Sequence, residues 1–227
     1  VMANHDPVGL RQMLLDRIAD SFKSEAGNTD DVSAALFGRE AEQGVRLLQL
    51  LDRRYAVVVT NPPYMGSKNM AAPLKDYVEK HYVTGKRDLY TTFILRCLEL
   101  CKSKGHLAMI TQQNWMFSHS FMELRAIPID KLKEFQKKDI FTGILRETSI
   151  ESLAHLGRYA FSEIDLPGDP VLFILKNSIS DPLHRLWACL LIAQRPAEEQ
   201  AYLLSKASKQ KLTEIVFTPY QADFLSI

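Results

Sequence analysis

The chain has 227 residues, of which 46% are hydrophobic and 24% are charged, and its formal net charge at pH 7 is +1. A chain of this length and apolar content can bury a core, which predicts one globular domain, or one domain with a dependent appendage. The near-neutral charge argues against a strongly basic surface, so the main contact with any nucleic acid would lie elsewhere or in local patches.

The first 54 residues predict two helices. Apolar residues recur at helical spacing over 10–19 and again over 33–51. The polar linker 26–31 separates them. We therefore expect 1–54 to be a helical lead-in.

From Tyr55 onwards strands and helices alternate. The β-branched run 55–60 predicts a buried parallel strand, and helix and loop character fills 118–147, where Pro128 breaks any continuous helix. Two late strands joined by a turn at 167–170 predict an antiparallel pair at an edge of the sheet. The other predicted elements are helices at 73–82, 89–102 and 198–207, and strands at 106–111, 152–156, 171–175 and 186–192. This plan predicts an α/β fold with a mostly parallel sheet and a late antiparallel hairpin.

The most informative motif is Asn61-Pro62-Pro63-Tyr64, directly after the first strand. Two consecutive prolines end the strand and hold the backbone extended. Asn61 and Tyr64 are thereby held at the carboxyl end of a strand, where ligands bind in open α/β sheets. The alternative is an ordinary strand-ending turn, since Asn and Pro are both turn residues.

This motif points to methyl transfer onto an amino group. Asn61 Oδ1 and the Pro62 carbonyl could accept hydrogen bonds from an exocyclic amine while Tyr64 stacks on the ring. An aryl amine is a poor nucleophile until acceptors polarise its N–H bonds, and acceptors placed for tetrahedral nitrogen favour the transition state. In-line transfer from a sulfonium methyl donor needs mainly positioning, so no metal cluster is required.

Residues 55–177 resemble the amino-methyltransferases that make N6-methyladenine in DNA and carry an Asn-Pro-Pro-Tyr signature. Segment 59–70 is especially similar to the adenine-specific methyltransferases of BREX phage-defence systems. The further segments that carry the resemblance are 87–93, 105–115, 156–161 and 171–176.

The resemblance implies a partial Rossmann-like methyltransferase fold, with 55–180 as its catalytic half and 181–227 as a C-terminal extension of the same domain. It implies S-adenosyl-L-methionine as the methyl donor and a flipped adenine in double-stranded DNA as the substrate, in phage defence or restriction-modification. Further partners would be defence-system subunits or missing parts of a parent chain. The residues carried over are Asn61, Pro62, Pro63 and Tyr64 as catalytic, Tyr64 and Phe161 as base-stacking, and Asn61, Asp88 and Leu89 as cofactor-binding.

One part of the family's pattern is missing. The glycine-rich donor motif lies upstream of Asn-Pro-Pro-Tyr in this family, and nothing in 1–54 fits it. A glycine turn lets the backbone approach the donor closely. We therefore expect a fragment of a larger enzyme, and the alternative function is a catalytically inactive fragment or interaction module.

Other residues leave alternatives open. Asp88 fits a helix N-cap as well as a donor contact, and Trp115 and Phe117 fit either the core or a substrate groove. Lysine clusters at 131–138 and 206–211 are more simply solvated helix faces than DNA contacts. The chemistry alone does not separate adenine from cytosine. Cysteine and histidine spacings predict no metal site, and without a membrane span or signal peptide a cytoplasmic protein is expected.

Overall fold

The computed structural model describes residues 7–27, 31–156 and 168–190, and the backbone of residues 215–216. The chain divides into two compact units, Val1–Arg54 and Tyr55–Ile227. Among the described residues, no helix combines the length and apolar character needed to cross a bilayer.

The first unit contains an antiparallel pair of helices, α1 (Pro7–Gly27) and α2 (Val32–Asp52). Asp31 begins α2 because its side chain accepts a hydrogen bond from Ser33 N at 2.9 Å. A hydrogen bond of 2.9 Å from Gln49 Nε2 to Asp16 Oδ1 joins the two helices. The two predicted helices are present, and both are longer than the apolar spacing indicated.

The second unit is a sheet with helices packed against it. Its strands and helices, in chain order, are β1 (Tyr55–Thr60), α3 (Ala72–His81), α4 (Leu89–Leu100), β2 (Cys101–Gln112), α5 (Asn114–Phe117), α6 (Met122–Arg125), α7 (Ile129–Lys137), α8 (Ile144–Glu147), β3 (Ser149–His155), β4 (Pro170–Lys176), β5 (Arg185–Leu190) and β6 (Ile215–Val216). Pro128 directly precedes α7 and separates it from α6, so no continuous helix runs through this position.

The described strands form one sheet in the order β1-β2-β4-β3-β5-β6. The strands β1, β2, β3 and β5 run in one direction, and β4 and β6 run in the opposite direction. The prediction of an α/β fold, with a mostly parallel sheet and a late antiparallel hairpin, is therefore confirmed. The predicted edge position of that hairpin is wrong, because β4 lies between β2 and β3, and β5 pairs with the other side of β3.

The core lies on one face of the sheet. Alternate residues of the strands point to it, so Leu107 and Met109 of β2 face the same layer as Phe173 and Leu175 of β4. On α4, residues four apart present one buried apolar stripe to this layer, namely Tyr90, Ile94 and Leu98. The parallel pairing of β1 with β2 places the carboxyl ends of these two strands side by side.

The prediction that β1 is buried is wrong. Within the described residues β1 has a strand neighbour on one side only, and Val57 and Val59 are 58% and 72% exposed. Val58, on the opposite face, packs against the core. The β-branched composition thus identified a parallel strand correctly but overestimated its burial.

Candidate active site at the carboxyl ends of β1 and β2

The turn Asn61–Tyr64 leaves the carboxyl end of β1 beside the carboxyl half of β2. Thr60 pairs with Met109 in the parallel ladder, so Asn61 follows at the level of Ile110. Asn61 and Pro63 are exposed, whereas Pro62 is buried. The exposed amide of Asn61 is therefore available to a ligand at this edge.

The Tyr64 side chain connects the turn to both neighbouring elements. Its hydroxyl lies 3.5 Å from Asn61 Oδ1 and 3.4 Å from the carbonyl oxygen of Ile110. Both distances are long for an O–H···O hydrogen bond, so Asn61 Oδ1 keeps the capacity to accept from another donor. Burial raises the pKa of the Tyr64 phenol, so this hydroxyl is a hydrogen-bond donor that does not ionise readily.

Tyr90 supports the Tyr64 ring from the core. The two rings meet edge to face with centroids 5.9 Å apart. Tyr90 is fully buried and also packs against Phe121 at 6.0 Å. Sequence reasoning missed this supporting role, although Tyr90 is an aromatic residue two positions after a predicted N-cap.

Asp88 lies beside the turn and caps α4. Its Oδ1 accepts from Tyr90 N at 3.2 Å and from Met65 N at 3.1 Å. Burial raises the pKa of the Asp88 carboxyl, and hydrogen bonds from the backbone amides of Tyr90, Met65 and Leu89 oppose that shift. Leu89 is buried, and its amide donates to the Met65 carbonyl at 2.9 Å. The N-cap interpretation of Asp88 is confirmed, and the residue is close to the turn as well.

The loop after β2 places its two aromatic residues differently. Trp115 is 1% exposed, donates from Nε1 to Thr111 Oγ1 at 3.0 Å, and packs against Phe173 with ring centroids 5.2 Å apart. Phe117 is 39% exposed at the carboxyl edge of the sheet. Trp115 therefore belongs to the core, and Phe117 is the aromatic residue of this loop that solvent reaches.

His155 ends β3 at the same edge of the sheet. It is 7% exposed, and its Nε2 lies 3.7 Å from Asp169 Oδ2. Burial lowers the pKa of His155, while the Asp169 charge acts in the opposite direction. A buried, mainly neutral imidazole at the end of a strand indicates a structural role for this histidine.

Two sets of predicted residues are not among the groups that the structure brings to this edge. Phe161 lies outside the described residues, as does the lysine cluster at 206–211. The lysines of the other predicted cluster, at 131–138, are exposed. Two of them form ion pairs, Lys131 with Glu123 at 3.5 Å and Lys138 with Glu134 at 2.6 Å. This pairing favours a solvated helix face.

The structure also contains a groove that lies away from the candidate site. A groove of about 860 Å³ is lined by α7, α8 and residues 179–182. These residues adjoin the start of β3 and the end of β4, so the groove lies at the opposite edge from Asn61. Among the described residues, no cluster of His, Cys, Asp and Glu could hold a metal ion.

Comparisons with known proteins find a matching family and similar proteins. The model of the Eco57I restriction-modification methylase family matches residues 13–142. The adenine-specific methyltransferase PglX of Lacticaseibacillus casei (strain Zhang) is 38% identical over 120 residues, which are 53% of this chain and 9% of PglX. The adenine-specific methyltransferase BrxX of Escherichia coli O9:H4 (strain HS) is 34% identical over 134 residues, which are 58% of this chain and 10% of BrxX. The matched segments thus span about a tenth of these relatives.

A solved structure supports the fold. It is a nuclease-deletion mutant of the Type ISP restriction-modification enzyme LlaGI in complex with a DNA substrate mimic, and it matches with a TM-score of 0.51 at 14% identity. The match covers 89% of this chain and 20% of the LlaGI chain. The predicted resemblance to adenine-specific methyltransferases is confirmed by the two relatives. Because more than half of the residues of this chain match the family model, the chain belongs to the Eco57I restriction-modification methylase family.

Proposed function

We propose that this protein is the catalytic half of a DNA adenine-N6 methyltransferase that acts in phage defence or restriction-modification. The observation that carries the proposal is the exposed Asn61 amide at the carboxyl end of β1, with Tyr64 beside it. The adenine specificity rests on two relatives named adenine-specific methyltransferases. The substrate is an adenine flipped out of double-stranded DNA, which implies a cytoplasmic reaction in a bacterium.

Asn61 and Pro62 act on the adenine amine. Asn61 Oδ1 and the Pro62 carbonyl accept hydrogen bonds from its two N–H groups and favour the pyramidal nitrogen of the transition state. Localising the lone pair makes the nitrogen a nucleophile. The new N–C bond would form as the S–C bond of the donor breaks, the thioether sulfur would keep the electron pair, and the amine proton would pass to solvent. Pro63 keeps the backbone extended so that both acceptors stay in place.

Tyr64 and Phe161 hold the two faces of the base. Tyr90 fixes the Tyr64 ring edge to face, so little side-chain freedom is lost when a base stacks on it. Stacking offsets the few kcal/mol that unpairing of the base costs.

S-adenosyl-L-methionine supplies the electrophilic methyl group. We assign its contacts to Asn61, Asp88 and Leu89, beside the turn. The half-buried Asp88 carboxylate fits a cationic donor, because burial leaves its negative charge poorly solvated. Double-stranded DNA and either defence-system subunits or other parts of a parent chain complete the proposed set of partners.

A second function has a specific observation in its favour. The described residues upstream of β1 form the helices α1 and α2, with no strand followed by a glycine turn. Gly27 ends α1, and Gly38 and Gly44 lie inside α2. The alternative is therefore a base-holding module that does not bind the donor by itself.

Methyl transfer and donor binding test these two functions. The full chain is incubated with methyl-labelled S-adenosyl-L-methionine and duplex DNA, and the digested nucleosides are analysed for N6-methyladenine. We expect N6-methyladenine together with donor binding in a calorimetric titration. Methylcytosine would refute the adenine assignment, and a folded chain that neither binds the donor nor methylates DNA would establish the second function.

Replacing Tyr64 with alanine is expected to weaken binding to single-stranded, adenine-containing DNA by about 1–3 kcal/mol, the usual worth of one base–aromatic stack. Tyr64→Phe keeps the ring and should keep most of the affinity. Tyr77→Ala removes a tyrosine of α3 that is 54% exposed, and serves as the matched control. Fluorescence anisotropy of labelled DNA measures the affinity, and equal binding by Tyr64→Ala and the wild type would contradict the stacking role.

A further inference from the structure

The segment directly after the Asn61–Tyr64 turn is paired with the entry to α4. Leu89 N donates to the carbonyl oxygen of Met65 at 2.9 Å, and Ser67 N donates to that of Arg87 at 3.0 Å. These two hydrogen bonds hold the segments antiparallel to each other. The downstream end of the turn is therefore fixed to the helix rather than to its own strand.

Asp88 lies at the centre of this pairing. Gly66 and Asp88 form an isolated antiparallel bridge. Asp88 Oδ1 accepts from Tyr90 N, within its own helix, and from Met65 N, in the segment after the turn. An N-cap needs only the first of these bonds. The second bond joins two segments that are 23 residues apart in the sequence.

The two residues whose amides donate to Asp88 Oδ1, Met65 and Tyr90, are also neighbours of Tyr64. Met65 follows Tyr64 directly, and Tyr90, the other residue held by Asp88 Oδ1, meets the Tyr64 ring at an interplanar angle of 84°. Both the backbone and the ring of Tyr64 are thus one contact away from Asp88. We propose that Asp88 is a positioning residue, whose Oδ1 fixes the Asn61–Tyr64 turn against α4 and so aims the Tyr64 ring and the Asn61 amide at the substrate base. This inference rests on the proposed function for its catalytic meaning, and on the hydrogen bonds alone for its structural meaning.

Three substitutions separate positioning from simple helix capping. Asp88→Asn keeps an acceptor oxygen at the same reach. Asp88→Ser keeps a cap for Tyr90 N but is too short to bridge to Met65 N as well. Asp88→Ala removes both bonds. Gly66→Ala is the matched control, because its new Cβ would meet Asp88 Oδ2 at 3.7 Å, an ordinary contact.

Amide hydrogen exchange of Met65 in the full chain is the main measurement. We expect the exchange rate to stay within about threefold of wild type in Asp88→Asn and Gly66→Ala, and to rise about tenfold in Asp88→Ser and Asp88→Ala, as the loss of one hydrogen bond would produce. In methyl transfer at saturating S-adenosyl-L-methionine, where the donor contact assigned to Asp88 no longer limits the rate, Asp88→Ser should lower kcat, and Asp88→Asn should restore most of it.

Two results would overturn the proposal. One is wild-type exchange of Met65 in Asp88→Ser, which would reduce Asp88 to a cap. The other is raised Met65 exchange in Asp88→Ser together with a wild-type kcat at saturating donor, which would show that the bond to Met65 does not aim the turn. Hydrogen exchange requires no catalysis, so a wild-type chain that fails to methylate DNA bears on the proposed function alone and leaves this test intact.

Discussion

Asn61→Ala is expected to abolish methyl transfer to adenine in a standard assay. Removing a single hydrogen-bonding group that acts on charge developing in a transition state lowers kcat by about 10²–10³-fold. Asn61 Oδ1 is the side-chain acceptor of the turn, and the Pro62 carbonyl alone cannot hold both N–H bonds of the amine. The loss should therefore appear mainly in kcat, with little change in the KM for DNA.

The same substitution should leave the fold intact. Asn61 is exposed, and the contact of its Oδ1 with the Tyr64 hydroxyl is long at 3.5 Å. Substitutions at exposed sites of this kind usually change stability by less than about 0.5 kcal/mol. Denaturant unfolding of both proteins checks this point, so that lost activity cannot be ascribed to lost structure.

Asn69→Ala provides the control for the Asn61 experiment. Asn69 is an exposed asparagine in the short turn Ser67–Asn69, a few residues downstream. It should retain methyl transfer within about twofold, as expected for a surface substitution. Activity retained by Asn61→Ala at the level of this control would remove the assigned role of the asparagine oxygen.

The helices and strands of the second unit could be predicted because residues next to their ends mark where they begin or stop. Asp88 marks the start of α4, and paired prolines mark the end of β1. The strand β2 was expected only at 106–111, yet it begins at Cys101, where the structure pairs that residue with Tyr55 of β1. A long-range ladder, not a local signal, determines this boundary.

Strand order could not be predicted, because it depends on contacts far apart in the chain. The turn at 167–170 indicated an antiparallel hairpin correctly, but nothing within it indicates that β4 also pairs with β2. The exposure of Val59 has the same origin, since a β-branched run has one composition whether or not another layer covers that face of its strand.

The candidate site was predictable to the extent that its residues are adjacent in sequence. Asn61 and Tyr64 form one motif, and the structure places them at the expected end of a strand. The support from Tyr90 and the bridge from Asp88 to Met65 depend on how α4 packs beside β1. The sequence identified the groups proposed to do the chemistry, and the fold added those that hold them in place.

Gly143→Ala is expected to destabilise the second unit by about 2–5 kcal/mol, because it combines backbone strain with overpacking. Gly143 has a φ of 123°, a conformation that residues with a Cβ rarely adopt. A Cβ at this position would lie 2.5 Å from the carbonyl oxygen of Arg125 and 2.6 Å from Ala126 Cα. These are backbone atoms, so the clash cannot be relieved by a side-chain rotation. Gly143 also precedes α8, whose first residue, Ile144, is fully buried in the core.

Gly168→Ala separates the two causes. Gly168 also has a positive φ, of 110°, but among the described residues no atom lies within 4 Å of the Cβ position. Strain alone should cost about 1–3 kcal/mol there, so the difference between the two variants measures the clash with the 125–126 backbone. Both tryptophans, Trp115 and Trp187, lie in the second unit, so urea unfolding followed by tryptophan fluorescence reports on it directly. If Gly143→Ala proved no less stable than Gly168→Ala, the close approach of residues 125–126 to Gly143 would not exist in solution, and the packing of α6 against α8 would have to be redrawn.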